Sequence, residues 1–248
     1  MSSRRLVPLI ARRELGAAFD TPIAWASLVA SVLLVNTAFM NGFFLGGRLE
    51  MTSFFTRMPL FLAVLLPALS MRLFAEERKT RTIELLFALP LTARDAVLGK
   101  FLAALGLFGL FLVGTLPIPL LLVRLGSPDL GAIAAGYLGL ALVGAMLLAL
   151  GLFASACTSD QLVAFVAAAV PGAALVLLGD PRVTSVLDGL GSDPGRALGS
   201  DLAALLSPTP AFEAFVGGVV TLEGVVQLGT FTAFFLWAAT RTVDRGRA

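Results

Sequence analysis

Long stretches without a single charge alternate along this chain with short charged ones. A helix needs about 20 apolar residues to cross about 30 Å of hydrocarbon. Six runs meet that length and predict six membrane spans: about 22–44, 53–75, 101–123, 130–159, 161–179 and 224–240. Arg57 and Arg72 lie near the two ends of the second run, where long side chains snorkel to the headgroups. The fourth run would be about 45 Å long as a helix, so it must tilt, bend or project. The sixth is short and closes on Trp237. Pro59 and Pro67 in the second run, and Pro117 and Pro119 in the third, predict kinks, because a proline removes one helical hydrogen bond and frees a carbonyl. Small residues at 131, 135 and 139, and at 141, 145 and 149, would let the fourth helix meet neighbours closely. The expected fold is all-α: one polytopic membrane domain over 1–248.

The pattern changes over 180–223. Asp180, Arg182, Asp188, Asp193, Arg196, Asp201, Glu213 and Glu223 fall there among Gly, Ser and Pro, which reads as a polar outer loop. Its stretch Ala211–Val220 is apolar but only about half a span, so a short interfacial or re-entrant helix is expected. The whole loop is expected to form short helices in the outer headgroup layer.

Charge sets the orientation. With both termini inside, 13 of the 18 Lys and Arg residues fall on the inner side and 5 on the outer. That bias predicts an N-in, C-in protein of the cytoplasmic membrane. Composition agrees: 58% of the 248 residues are hydrophobic and 14% charged, against about 25% charged in a soluble domain. A net charge of +2 gives no electrostatic reason to expect a nucleic-acid partner. Histidine is absent, which removes histidine metal sites and histidine general bases. Cys157 is the lone cysteine, so no intrachain disulfide can form. Arg4, Arg5, Arg12 and Arg13 interrupt the start of the chain, and the first span is expected to stay as a signal anchor.

The largest inner segment links the second and third spans. Glu76, Glu77, Arg78, Lys79 and Arg81 offer helical pairs, such as Glu77 with Arg81. Leu85 and Leu89 share a face with Leu86 beside them, and Pro90 stops the helix. Thr92 and Asp95 form a capping pair that opens the third span. The expectation is one amphipathic helix, Glu76–Leu89, whose apolar face requires either lipid headgroups or a cytosolic partner.

Phe-Ala-Glu-Glu at 74–77, Thr-Ile-Glu-Leu-Leu at 82–86, Leu-Pro-Leu-Thr at 89–92 and Val-Leu-Gly-Lys-Phe at 97–101 resemble the permeases of type-2 ABC exporters, closest to the GldF and NosY group. Phe212-Glu213-Ala214-Phe215, with Gly218-Val219-Val220 and Val225-Val226 after it, carries a second likeness. Two positions depart from the pattern. Arg81 stands where the group usually has glycine, and Ala211 where it often has histidine. The resemblance implies that the 76–89 helix is a coupling helix seated in a separate ATPase. It implies Glu76, Glu77, Arg78, Thr82 and Glu84 as coupling positions, with Leu85 and Leu86 as the apolar anchor. It also implies two permease units with two ATPases, so that ATP and Mg are held by the partner and no cofactor by this chain.

The residues themselves exclude several alternatives. No G-x-x-x-x-G-K-[ST] pattern occurs, so ATP must be hydrolysed elsewhere. No H-E-x-x-H, Gly-x-Ser-x-Gly or intramembrane carboxylate pair occurs, and both lysines are expected at the inner surface, which leaves an enzyme reading without support. Most span cores lack charge, which argues against an ion-coupled secondary transporter. A membrane anchor in a motility or secretion machine stays open as an alternative, and the cargo is not legible.

Overall fold

The computed structural model describes residues 3–20, 22–46, 51–81, 92–190 and 198–245, and every regular element among them is a helix. There are twelve in this described part: α1 Ser3–Phe19, α2 Pro22–Gly46, α3 Thr52–Ser70, α4 Arg72–Lys79, α5 Ala93–Thr115, α6 Pro117–Leu125, α7 Leu130–Cys157, α8 Gln161–Leu177, α9 Pro181–Leu190, α10 Leu198–Leu206, α11 Thr209–Val216 and α12 Leu222–Arg245.

Among the described residues, four helical stretches are long and apolar enough to cross a membrane: Thr52–Lys79, Ala93–Leu125, Leu130–Cys157 and Leu222–Arg245. Helices α8 and α9 make a fifth only if the pair counts as one span, and they bend by 82° at their junction. The apolar part of α2 covers the 17 residues Trp25–Asn41. All six expected runs are therefore helical, while length and composition qualify four or five as spans.

The starts of these helices follow from local chemistry. Asp129 accepts hydrogen bonds from the Gly131 and Ala132 N–H groups and opens α7; Asp160 does the same for Leu162 and Val163 and opens α8. Thr92 and Asp95 bond reciprocally as a capping box, Asp95 N–H to Thr92 Oγ1 and Thr92 N–H to Asp95 Oδ2, each at 3.2 Å. That box starts α5 eight residues before the expected third span. At Leu116 the run breaks into α5 and α6, because Pro117 and Pro119 cannot donate to the turn behind them. Asn36 of α2 donates to the Gly114 carbonyl at that break, 3.1 Å away.

The core forms around α7, which packs against α3, α4, α5, α8, α11 and α12. Glycines make this crowding possible. A Cβ on Gly144 would fall inside the Phe108 ring, and one on Gly151 would strike Ser70 Oγ. Gly136 receives Phe55, and Gly139 receives Phe212 and Phe215. Of the small residues expected to make the seam, Gly139 meets aromatic rings; its companions there are Gly136, Gly144 and Gly151. Such close backbone approach gains dispersion contacts, the main attraction left between helices when lipid is as apolar as leucine.

The first twenty residues hold an element that the charge pattern concealed. Helix α1 lies along α5, with Ile10 pressed on Gly99 and Leu15 on Gly106. The corner into α2 is fixed by Trp25, whose Nε1–H donates to the Phe19 carbonyl at 3.1 Å and whose ring lies 4.7 Å from the Phe19 ring.

The described residues of the polar segment form short helices, as expected; Asp193 and Arg196 lie outside the described residues. The half-span element is α11, Thr209–Val216, rather than Ala211–Val220. Gly217 and Gly218 end it early, and Gly218 sits at φ +83°, open to a residue without a Cβ. Phe212 and Phe215, from the second family-like motif, are buried against α7.

Candidate coupling site

Helix α3 ends at Ser70 and α4 begins at Arg72; Met71 between them keeps helical angles and bonds to the Pro67 carbonyl, so the two form one stretch, Thr52–Lys79, with a junction inside it. A helix start leaves N–H groups without acceptors of its own. Here another helix lends the acceptor. Ser155 Oγ, on α7, accepts from Phe74 N–H at 3.0 Å and Ala75 N–H at 3.1 Å, and its hydroxyl donates to the Met71 carbonyl at 2.7 Å. Ser155 is fully buried, as are Phe74 and Ala75. Beyond them α4 turns outward: Glu76, Lys79, Thr80 and Arg81 are exposed.

Glu77 does not pair with Arg81. Its carboxylate lies 2.8 Å from Lys100 Nζ, and the same ammonium lies 3.2 Å from Glu14 of α1. Lys100 is 1% exposed, with its charge 5.1 Å from the centre of the Phe74 ring. The side chain is buried where α1, α4 and α5 meet, a packing that the expectation of a lysine at the inner surface did not include. A buried ammonium persists only when paired, and two carboxylates with an aromatic face provide that pairing. Sequence reasoning missed Glu14 and Lys100 because α1 was not foreseen. The signal was present in Ile10 and Glu14, four residues apart on one face of a short helix.

Arg78 is half-buried, and its Nε finds no hydrogen-bond partner among the described residues. The expected continuous helix Glu76–Leu89 ends instead at Lys79. Thr80 Oγ1 donates back to the Glu76 carbonyl at 2.9 Å, and Arg81 then enters the left-handed region at φ +57°. The pair expected between Glu77 and Arg81 fails for the same reason: Arg81 has left the helix. The position where the resembled group carries glycine thus has the backbone conformation that glycine tolerates best. Thr82, Glu84, Leu85 and Leu86 lie outside the described residues, as do Leu89 and Pro90.

Toward the other end of α3, a cavity of about 600 Å³ opens between α3, α8 and α11. Arg57, Asp180 and Glu213 line it among apolar neighbours. No group of three or more metal-ligating side chains occurs among the described residues.

The family model of the ABC-2 family transporter protein matches residues 50–240. The chain belongs to the ABC-2 transporter family. As a member it is the permease component of an ABC transporter, a multi-pass integral membrane protein and not itself the catalyst. The matched stretch includes α4 and Lys100 but not α1, so Glu14 enters the ion cluster from outside it. No curated protein matches the chain closely enough to count as a relative.

Proposed function

We propose that this ABC-2 permease is the membrane half of an ATP-driven exporter, closest to the GldF and NosY group, driven by a separate cytosolic ATPase that docks on the 76–89 segment. In this reading α2, α3 with α4, α5 with α6, α7, α8 and α12 are six spans, with both termini in the cytoplasm of an inner-membrane protein. The 13-to-5 distribution of Lys and Arg supports that orientation. Two permease copies and two ATPases would make the working unit, with ATP and Mg bound by the ATPases.

The observation that carries the reading is the way α4 is built. Its first turn is buried and bonded to α7, while Glu76 and Lys79 project from the end of a helix that runs from Thr52. A push on those exposed charges is passed to a span through that helix. Glu76, Glu77, Arg78, Thr82 and Glu84 are the proposed coupling positions, with Leu85 and Leu86 as the apolar anchor. Glu77 acts there through its bond to Lys100.

Copurification of the ATPase with the permease tests this. Glu76→Lys and Glu84→Lys are each expected to weaken the complex by roughly tenfold or more, as loss of a charged contact at an interface typically does. Arg182→Glu, exposed on α9, is the control. Undiminished recovery of the ATPase with Glu76→Lys, Glu84→Lys and Leu85→Asp would exclude this segment as the dock.

A further inference from the structure

Near Lys100, α1 and α4 rest on different helices, while α5 and α7 also pack on each other. Helix α1 lies on α5, through Ile10 on Gly99 and Leu15 on Gly106. Helix α4 instead rests on α7 and α8. Lys100 stands on α5 and reaches across, holding Glu14 on its own side and Glu77 on the other. The junction between α3 and α4 is bridged by a side chain, Ser155. Insertion of a side chain into the ladder is one of the few physical causes of a helix bend.

We propose that Ser155 is the pivot of α4 and Lys100 its latch, with Glu14 holding the latch in place so that α1 takes part in coupling. Ser155 keeps the first-turn N–H groups of α4 satisfied while the angle of α4 changes, because one hydroxyl oxygen accepts from both Phe74 and Ala75 and needs no exchange with water. The C-terminal end of α4 is different. The Glu77–Lys100 bond ties it to α5 at 2.8 Å, with the ammonium buried and the carboxylate 21% exposed. Swinging α4 away would leave Lys100 with Glu14 alone, so the ammonium stays compensated in both positions. That is the use of a second carboxylate: Glu77 is released and Glu14 stays. Lys100, Glu14 and Ser155 are positioning residues, and none of them needs to touch the ATPase. The proposal rests on α4 as the docked segment only for what drives the swing.

Spin labels at positions 13 and 79, both exposed, would straddle the latch. The Cys157→Ala background removes the only native thiol. The sample is the full chain in membranes with the ATPase that copurifies with it, measured without nucleotide and with ATP plus vanadate. The native latch is expected to give one narrow distance without nucleotide and a second distance with ATP. Lys100→Met should populate the released position without nucleotide, by about tenfold over the native chain, an ordinary size for coupling between sites. If Lys100→Met does not assemble, Glu77→Ala removes the acceptor and leaves the ammonium paired with Glu14; it should give the same spread. Distances in Glu77→Ala as narrow as the native ones would overturn the latch. A native distance that ignores ATP would instead overturn docking on α4, while the nucleotide-free widths still test the latch.

Discussion

At the Lys100 end of the bundle, polar groups reach across the chain; at the Asp188 end they mostly reach their neighbours. Ser155 bonds to residues about eighty positions away, and Lys100 meets Glu14 across 86. By contrast, Asp129 and Asp180 accept from N–H groups two residues on, and Asp188 from Gly199 and Ser200. Local caps fix where each short helix begins. Long-range contacts fix how helices stand relative to one another, and they place stability and motion under the control of the same few groups. One end is therefore built mostly from local turns, with Thr209 on Val176 and Gln227 on Ala204 as its longer ties, and the other around bonds between distant segments.

The largest effect expected from breaking this contrast is at Ser155. Ser155→Ala leaves the Phe74 and Ala75 N–H groups buried without their serine acceptor, and each such loss costs about 1–3 kcal/mol. A fall in the detergent melting temperature, larger than that of Thr184→Ala on α9, is the expected result; equal shifts would erase the distinction between the ends. Arg81 comes next. A left-handed backbone costs a non-glycine residue about 1–2 kcal/mol, part of which glycine returns through its freer unfolded chain. Arg81→Gly should therefore strengthen the end of α4 by about 0.5–1 kcal/mol, read as slower amide exchange at Thr80 and Arg81.

The smallest effect is at Asp188. The Ser200 hydroxyl, then the Ser200 and Gly199 N–H groups, hold this carboxyl below its ordinary range. A depressed pKa means that the charged form favours the folded contact. Its contribution is present above the unfolded pKa and is lost as pH falls through the lower, folded one. The protection of the Ser200 amide, its exchange rate taken relative to the unstructured chain at the same pH, should fall on acidification from about pH 5 to pH 3, across the usual aspartate range. Asp188→Asn should abolish that dependence while the Lys100 end is unaffected.

What could be read from sequence follows the same division. The capping box of Thr92 and Asp95 lies within four residues, and its chemistry requires no knowledge of the fold. The apolar runs and the short helices of the polar segment were legible for the same reason: each is a local statement about length, charge and turn chemistry. The partners of Lys100 were not legible because they come from elements far apart in the chain, and one of those elements looked like a charged tail. The glycine seam was half legible, since a spacing shows that a close approach is possible but not which ring will use it. The continuous helix through Arg81 failed at a single backbone angle, which only glycine at that position would have advertised.

Gly144 and Phe108 carry a further meaning for which sequences this fold can accept. The ring fills the space a methyl group would need, so the two positions share one volume. Neither can drift alone: a side chain at 144 must be matched by a smaller one at 108, and a small residue at 108 leaves a void that only growth at 144 can close. Substitutions there should be inherited as a pair, and a variant carrying both halves should fold where each half by itself does not.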